Sequence, residues 1–155
     1  MQTAVRLIEA AAHSMQFLAS LADLVVRLAV AHVFWKSGVT KLQSWESTLM
    51  LFEYEYAVPL ISPGAAAYLG TAVELVLPVF LVLGLGGRLA ALAIFIFNII
   101  AVISYPDLSD SGRQFHVLWG ILLAITLTHG PGRLSLDALI KRKWGTRHMQ
   151  AERTS

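Results

Sequence analysis

The chain has 155 residues, of which 56% are hydrophobic and 14% charged, with a net charge of +2 and no cysteine. Soluble domains carry about 45–50% apolar and about 25% charged residues, and the apolar excess here lies in blocks long enough to cross a hydrocarbon core, which takes about 20 residues. These properties exclude a soluble domain, disulfides and thiolate chemistry, and so small a charge offers no case for nucleic-acid binding.

The N-terminal stretch has one Arg6 ahead of an apolar run, but Glu9 and His13 interrupt it and no small-residue cleavage site follows, so it does not read as a cleaved signal. A first span is expected at about 18–39, and it is polar for a membrane helix, carrying Asp23, Arg27, His32 and Lys36. Residues 42–64 hold Glu46, Glu53 and Glu55 and do not span. Within them Trp45, Leu49, Phe52 and Tyr56 recur near helical spacing, which favours an amphipathic or re-entrant helix with its aromatics at headgroup level. The alternation FEYEY also fits a short extended segment.

A second span is expected at about 66–85, with Glu74 and Pro78, and a third at about 88–105, with Asn98. One helix over 75–105 would be about 46 Å long, too long for a core of about 30 Å. The GLGGR sequence at 84–88 supplies the reversal, and Arg88 marks an aqueous boundary. A fourth, short span is expected at about 115–129. After Gly130–Pro131–Gly132, a basic surface helix at about 133–145 sets Lys141, Arg142 and Lys143 beside leucines, and 149–155 reads as a disordered tail. The expected fold is therefore one all-α integral membrane domain, 1–148. It is a four-transmembrane-helix bundle with an outer-face amphipathic segment between the first two spans.

Four spans put both termini on one side. That side collects Arg6, Arg88, Arg133, Lys141, Arg142, Lys143, Arg147 and Arg153, while Lys41, Arg113 and the end-of-helix Lys36 fall opposite. The bias places both termini in the cytoplasm.

Ionisable residues inside a membrane cost about 2.5–3.5 kcal/mol each and normally have a partner. Asp23 and Arg27 are four apart on one helix face, and Glu74 of the antiparallel second span is expected at Arg27's depth near the midplane. A buried Arg27–Glu74 pair either fixes helix register or floors a polar cavity or proton path. Arg27, Phe34, Gly38 and Lys41 form one stripe of the first span. His32 and Lys36 lie on another face, as if this helix were central in the bundle. With Lys41, Asn98 and His116 they make candidate ligand donors in the outer half. His116 also reads as an interfacial residue satisfied by a carbonyl or water. No paired-histidine metal spacing, nucleophile motif or phosphate loop is present, and the histidines do not form an obvious axial pair for haem.

RLAVAHVFWKSGVTKL (27–42) and ELVLPVFLVLGLGGRLAAL (74–92) resemble, in order, the two signatures of the DoxX family. These are an Arg followed by an aromatic-rich G-x-x-K, and a Glu followed by L-G-x-x-x-R. The resemblance covers about 20–140, and its signature positions are Arg27, Gly38, Lys41, Glu74 and Arg88. Residues 36–60 further resemble a subgroup encoded beside enzymes that make metal-responsive modified peptides. The family implies a four-helix inner-membrane protein. Some members are subunits of thiosulfate:quinone oxidoreductase, and others associate with superoxide dismutase and thiol-oxidation partners in redox stress. Two functions follow as expectations. One is a membrane subunit of a redox or metal-stress system that contacts quinone or a similar amphiphile. The other is a non-catalytic partner or carrier for a modified peptide or its biosynthetic enzymes, docked on Trp45, Phe52 and Tyr56. Glycine-lined faces on the first two spans allow a homodimer or intramolecular packing equally.

Overall fold

The computed structural model describes residues 2–151, with side chains placed for Arg6 and 12–144. Among the described residues the fold is all-helical: α1 (Gln2–Gln43), α2 (Trp45–Tyr54), α3 (Pro63–Leu83), α4 (Gly87–Ser104), α5 (Asp110–His129) and α6 (Leu136–Ala151). Among these residues three helices are long and apolar enough to cross a membrane: α1 over Ala12–Gln43, α3 and α4. Exposed Leu69, Leu89 and Ile103 on the last two present apolar surface outward.

The helix ends follow local chemistry. Ser44, Ser62 and Ser109 cap α2, α3 and α5, each accepting from the backbone N–H three residues on. Pro63 opens α3, where a missing N–H is harmless. Pro78 lies inside α3, so the Glu74 carbonyl lacks its usual helical donor. α3 ends at Gly84, with φ of 61°, and α4 is entered through Gly86, with φ of 56°. The GLGG turn is thus built on left-handed residues, a conformation glycine takes without steric penalty.

α1 lies along α3 and α4 along α5, and α3–α4 and α1–α5 contacts close the bundle. Val30, Ala31 and Phe34 of α1 meet Leu81, Ala90, Ala91, Ile94 and Leu123 in one buried cluster. A second cluster joins Phe52 of α2 to Ala66 and Ala67 of α3, with Trp45, Leu49, Tyr56 and Val58 around it. The helical spacing of those aromatics therefore marks the face α2 turns to α3. The FEYEY alternation does not form a strand: Phe52, Glu53 and Tyr54 are the last residues of α2, and 56–58 have no regular structure.

Two expectations about α1 need correction. First, it is not central. Its second polar face, with His32 and Lys36, is exposed. Second, Arg27 is not at mid-depth. The register is set where Gly38 sits against Leu75 and Glu74, and where Trp45 packs on Tyr68 at a centroid distance of 4.7 Å. That leaves Arg27 level with the α3–α4 turn. α6 runs to Ala151, so 149–151 of the expected disordered tail are helical, and 152–155 lie outside the described residues.

Candidate functional site

Two polar clusters lie along the inward stripe of α1. The first is near the middle of α3. Lys41 Nζ donates to both oxygens of Glu74, at 2.8 and 2.7 Å, and to Ser37 Oγ at 2.9 Å, while Ser37 Oγ donates to Glu74 Oε1 at 3.1 Å. The Lys41 and Glu74 side chains are only 13% and 7% exposed. Gly38 makes the approach feasible, because a Cβ there would stand 2.9 Å from the Leu75 side chain and 3.0 Å from Glu74 Cβ. Thr48 Oγ1 donates to the Lys41 carbonyl at 2.8 Å and ties α2 to the same turn.

This ion pair forms one wall of a cavity of about 360 Å³ between α2, α3, α4 and the 56–61 segment. Phe52, Val73, Phe97 and Ile100 make the rest of its lining largely apolar. Exposed Leu60, Ile61 and Leu69 belong to its rim. Ser104, also in the lining, has a buried hydroxyl with no hydrogen-bond partner. A second, open groove of about 810 Å³ runs between α1 and α2, lined by Lys36, Ser37, Thr40, Ser44 and Ser47. Lys41 and Tyr56 line both spaces. Burial, and then the charge of Glu74, push the Tyr56 phenol upward, so it stays a hydrogen-bond donor. The Tyr105 phenol is also raised, first by the charge of Glu55, which it meets at 3.4 Å.

The second cluster corrects the expected Arg27–Glu74 pair. Arg27 is fully buried, but its guanidinium donates to the carbonyls of Leu81 at 3.2 Å, Val82 at 2.7 Å and Leu134. The first two are end carbonyls of α3, which lack the usual donor four residues on and carry the negative end of the helix dipole. Glu74 takes Lys41 instead. Asp23 faces the Gly132 turn, where a glycine Cβ would be 2.6 Å from its carboxylate. Arg88 likewise donates to Thr128 O, near the end of α5, at 3.1 Å. Asp137 accepts from the Gly86 and Gly87 N–H groups, at 2.9 and 3.0 Å, and so caps α4.

Of the remaining candidates, His32 and Lys36 border the open groove with Lys41, but Asn98 and His116 do not join them. His116 and Asn98 pair reciprocally across α5 and α4: Nδ1 to Oδ1 at 2.7 Å, and Asn98 Nδ2 to the His116 carbonyl at 2.9 Å. They line a different cavity, away from His32 and Lys36. The aromatics expected to dock a partner are used inside the fold. Phe52 is 7% exposed, Trp45 packs on Tyr68, and Tyr56 lies against both Phe52 and Tyr105. Among the described residues, no group of three or more His, Asp or Glu is placed to hold a metal ion. Ser37, Thr48, Ser104 and Asp137 are site residues that sequence reasoning misses. Serine and threonine are ordinary in membrane helices, and only Asp137 carries a signal, an acid in a helix's first turn.

The DoxX family model matches residues 22–106, and the chain belongs to the DoxX family. That stretch contains Arg27, Gly38, Lys41, Glu74 and Arg88, the positions that build the two clusters. An uncharacterised protein of Haemophilus influenzae (strain Rd) is 28% identical over 131 residues, covering 80% of this chain and 86% of the relative. No solved structure matches the chain.

Proposed function

We propose that this DoxX-family membrane protein holds a lipid-borne amphiphile of the quinone class in the cavity beside Lys41 and Glu74, as a subunit of a redox or metal-stress system. The observation that carries the reading is a largely apolar cavity of about 360 Å³ walled by a buried ion pair, with the unpartnered Ser104 hydroxyl in its lining. Ligand pockets have this character: apolar walls, a few polar groups that fix orientation, and volumes of about 300–1,000 Å³. The Lys41 ammonium and the Tyr56 phenol are donors suited to a carbonyl head, and the exposed Leu60, Ile61 and Leu69 suit entry from lipid.

In this reading α5 is a fourth span. It has 20 residues, about 30 Å, and lies along α4. The Lys/Arg bias then puts both termini in the cytoplasm of a bacterial inner membrane and the cavity in the outer leaflet. Lipid extraction of protein purified in mild detergent tests the ligand. Quinone is expected in the wild type and lost in Lys41→Ala, and its absence from folded wild-type protein refutes the reading. Topology is tested separately, because the chain lacks cysteine. Glu46→Cys is expected to react with an impermeant maleimide on intact cells and Lys143→Cys to stay unlabelled; the reverse pattern overturns the orientation.

A further inference from the structure

At the α3–α4 turn, opposite the Lys41 end, three basic side chains from three helices line one cavity of about 310 Å³: Arg88 of α4, His129 of α5 and Lys141 of α6. The chain between α5 and α6 makes room for it. Gly130 and Gly132 have φ of 91° and 74°, and the Arg88 Nε would lie 3.3 Å from a Cβ on Gly130. One acid, Asp137, is in the lining, but both its oxygens already accept from the N–H groups of Gly86 and Gly87. Arg88 donates one N–H to Thr128 O, out of the five a guanidinium carries. Lys141 and His129 are exposed.

We propose that this cavity binds the phosphate headgroup of an anionic phospholipid. The chemistry is that of a phosphate site, with a forked guanidinium, an ammonium and an imidazole converging on one space. Depth selects a lipid over a soluble phosphate. The cavity lies where α3 ends, α4 begins and α5 ends, and two of these helices are apolar enough to cross a membrane. Leu89, also in the lining, is 73% exposed beside Arg88 and offers a surface for the first carbons of an acyl chain. Basic pockets between helices at this level are suited to such headgroups. The site is independent of the Lys41 cavity.

The test uses the full chain in mild detergent, with added phosphatidylglycerol or cardiolipin against phosphatidylcholine, read by native mass spectrometry and by thermal unfolding. Anionic lipid is expected to stay bound and raise the melting temperature. Lys141→Glu and His129→Glu are each expected to weaken its retention about tenfold, one decade per about 1.4 kcal/mol of lost attraction. Lys141→Gln should weaken it less, and circular dichroism should show the helices intact. Arg88 is left in place because it binds the end of α5. Equal retention of phosphatidylcholine, or full retention of anionic lipid by folded Lys141→Glu, overturns the proposal. So does inorganic phosphate that raises the melting temperature as far as the lipid does, which would identify a soluble phosphate instead.

Discussion

Removing one partner of the Lys41–Glu74 pair should be worse than removing both. In Lys41→Met the Glu74 carboxylate, with a side chain 7% exposed, keeps only the Ser37 hydroxyl as donor. A buried charge stripped of its partner costs about 3–5 kcal/mol. Glu74→Met should cost less, because Lys41 also borders the open groove and its ammonium can turn toward it. Lys41→Met with Glu74→Met leaves no charge to desolvate. Replacement of a buried pair by apolar side chains of similar volume is often neutral or stabilising, by about 1–4 kcal/mol. The double variant should therefore recover at least about 2 kcal/mol relative to the sum of the singles, within the coupling seen for directly bonded residues. Unfolding of detergent-solubilised protein by a denaturing detergent, followed by fluorescence of its four tryptophans, measures all four proteins. The same samples, extracted for quinone, separate the two roles of the pair. The double variant should fold and yet retain no quinone. Additive losses would refute the reasoning, since they would mean that the two charges do not stabilise one another.

Gly38→Ala should destabilise by about 1–3 kcal/mol through overpacking against Leu75 and Glu74. Gly64→Ala, with nothing within 4 Å of the added Cβ, should be neutral or stabilise by up to about 1 kcal/mol through helix propensity; thermal melts of both in detergent compare them. Arg27→Lys should cost about 3 kcal/mol despite the retained charge, since one ammonium cannot reproduce a fork that serves carbonyls on α3 and at Leu134, and a denaturation midpoint reports it. In an alkaline titration followed by phenolate absorbance, Tyr105 should ionise above the usual value of about 10, and Glu55→Gln should bring it back down, because Glu55's charge is the main cause of the rise.

The inward face of α1 is legible in the sequence because Arg27, Phe34, Gly38 and Lys41 keep helical phase, and all four do turn toward the bundle. The axial register is not. Arg27 and Lys41 are 14 residues apart on one stripe, about 21 Å along the helix, so phase alone cannot say which cation meets Glu74. The choice falls to α3. A long, forked side chain at position 27 reaches the end carbonyls of Leu81 and Val82 together, and Leu75 of α3 fits the gap at Gly38. The membership of the polar set is hidden for a related reason. Expected depth groups His32, Lys36, Asn98 and His116 together. Depth carries no information about azimuth, and α4 and α5 use Asn98 and His116 on each other. The spacing of the α2 aromatics does identify one face, but that face packs on small residues at Ala66 and Ala67 and is not free.

In lipid, apolar side chains gain little by leaving the solvent for one another, so helix association leans on close packing and on satisfied polar groups. Three of this chain's buried or bridging polar residues serve helix ends, although the buried Arg27 Nε has no hydrogen-bond partner. Arg27 serves the end of α3, Arg88 serves the end of α5, and Asp137 serves the start of α4. Each supplies partners to backbone groups that a helix end necessarily leaves open. Lys41 and Glu74 serve no helix end. Lys41 lies in the last turn of α1, but its ammonium bonds Glu74 and Ser37 rather than a backbone carbonyl, and Glu74 sits midway along α3. Replacing the pair with apolar side chains is expected to cost little stability. On the proposed reading, this pair, placed against a cavity and a buried hydroxyl without a partner, is the part of the polar network that a ligand would use.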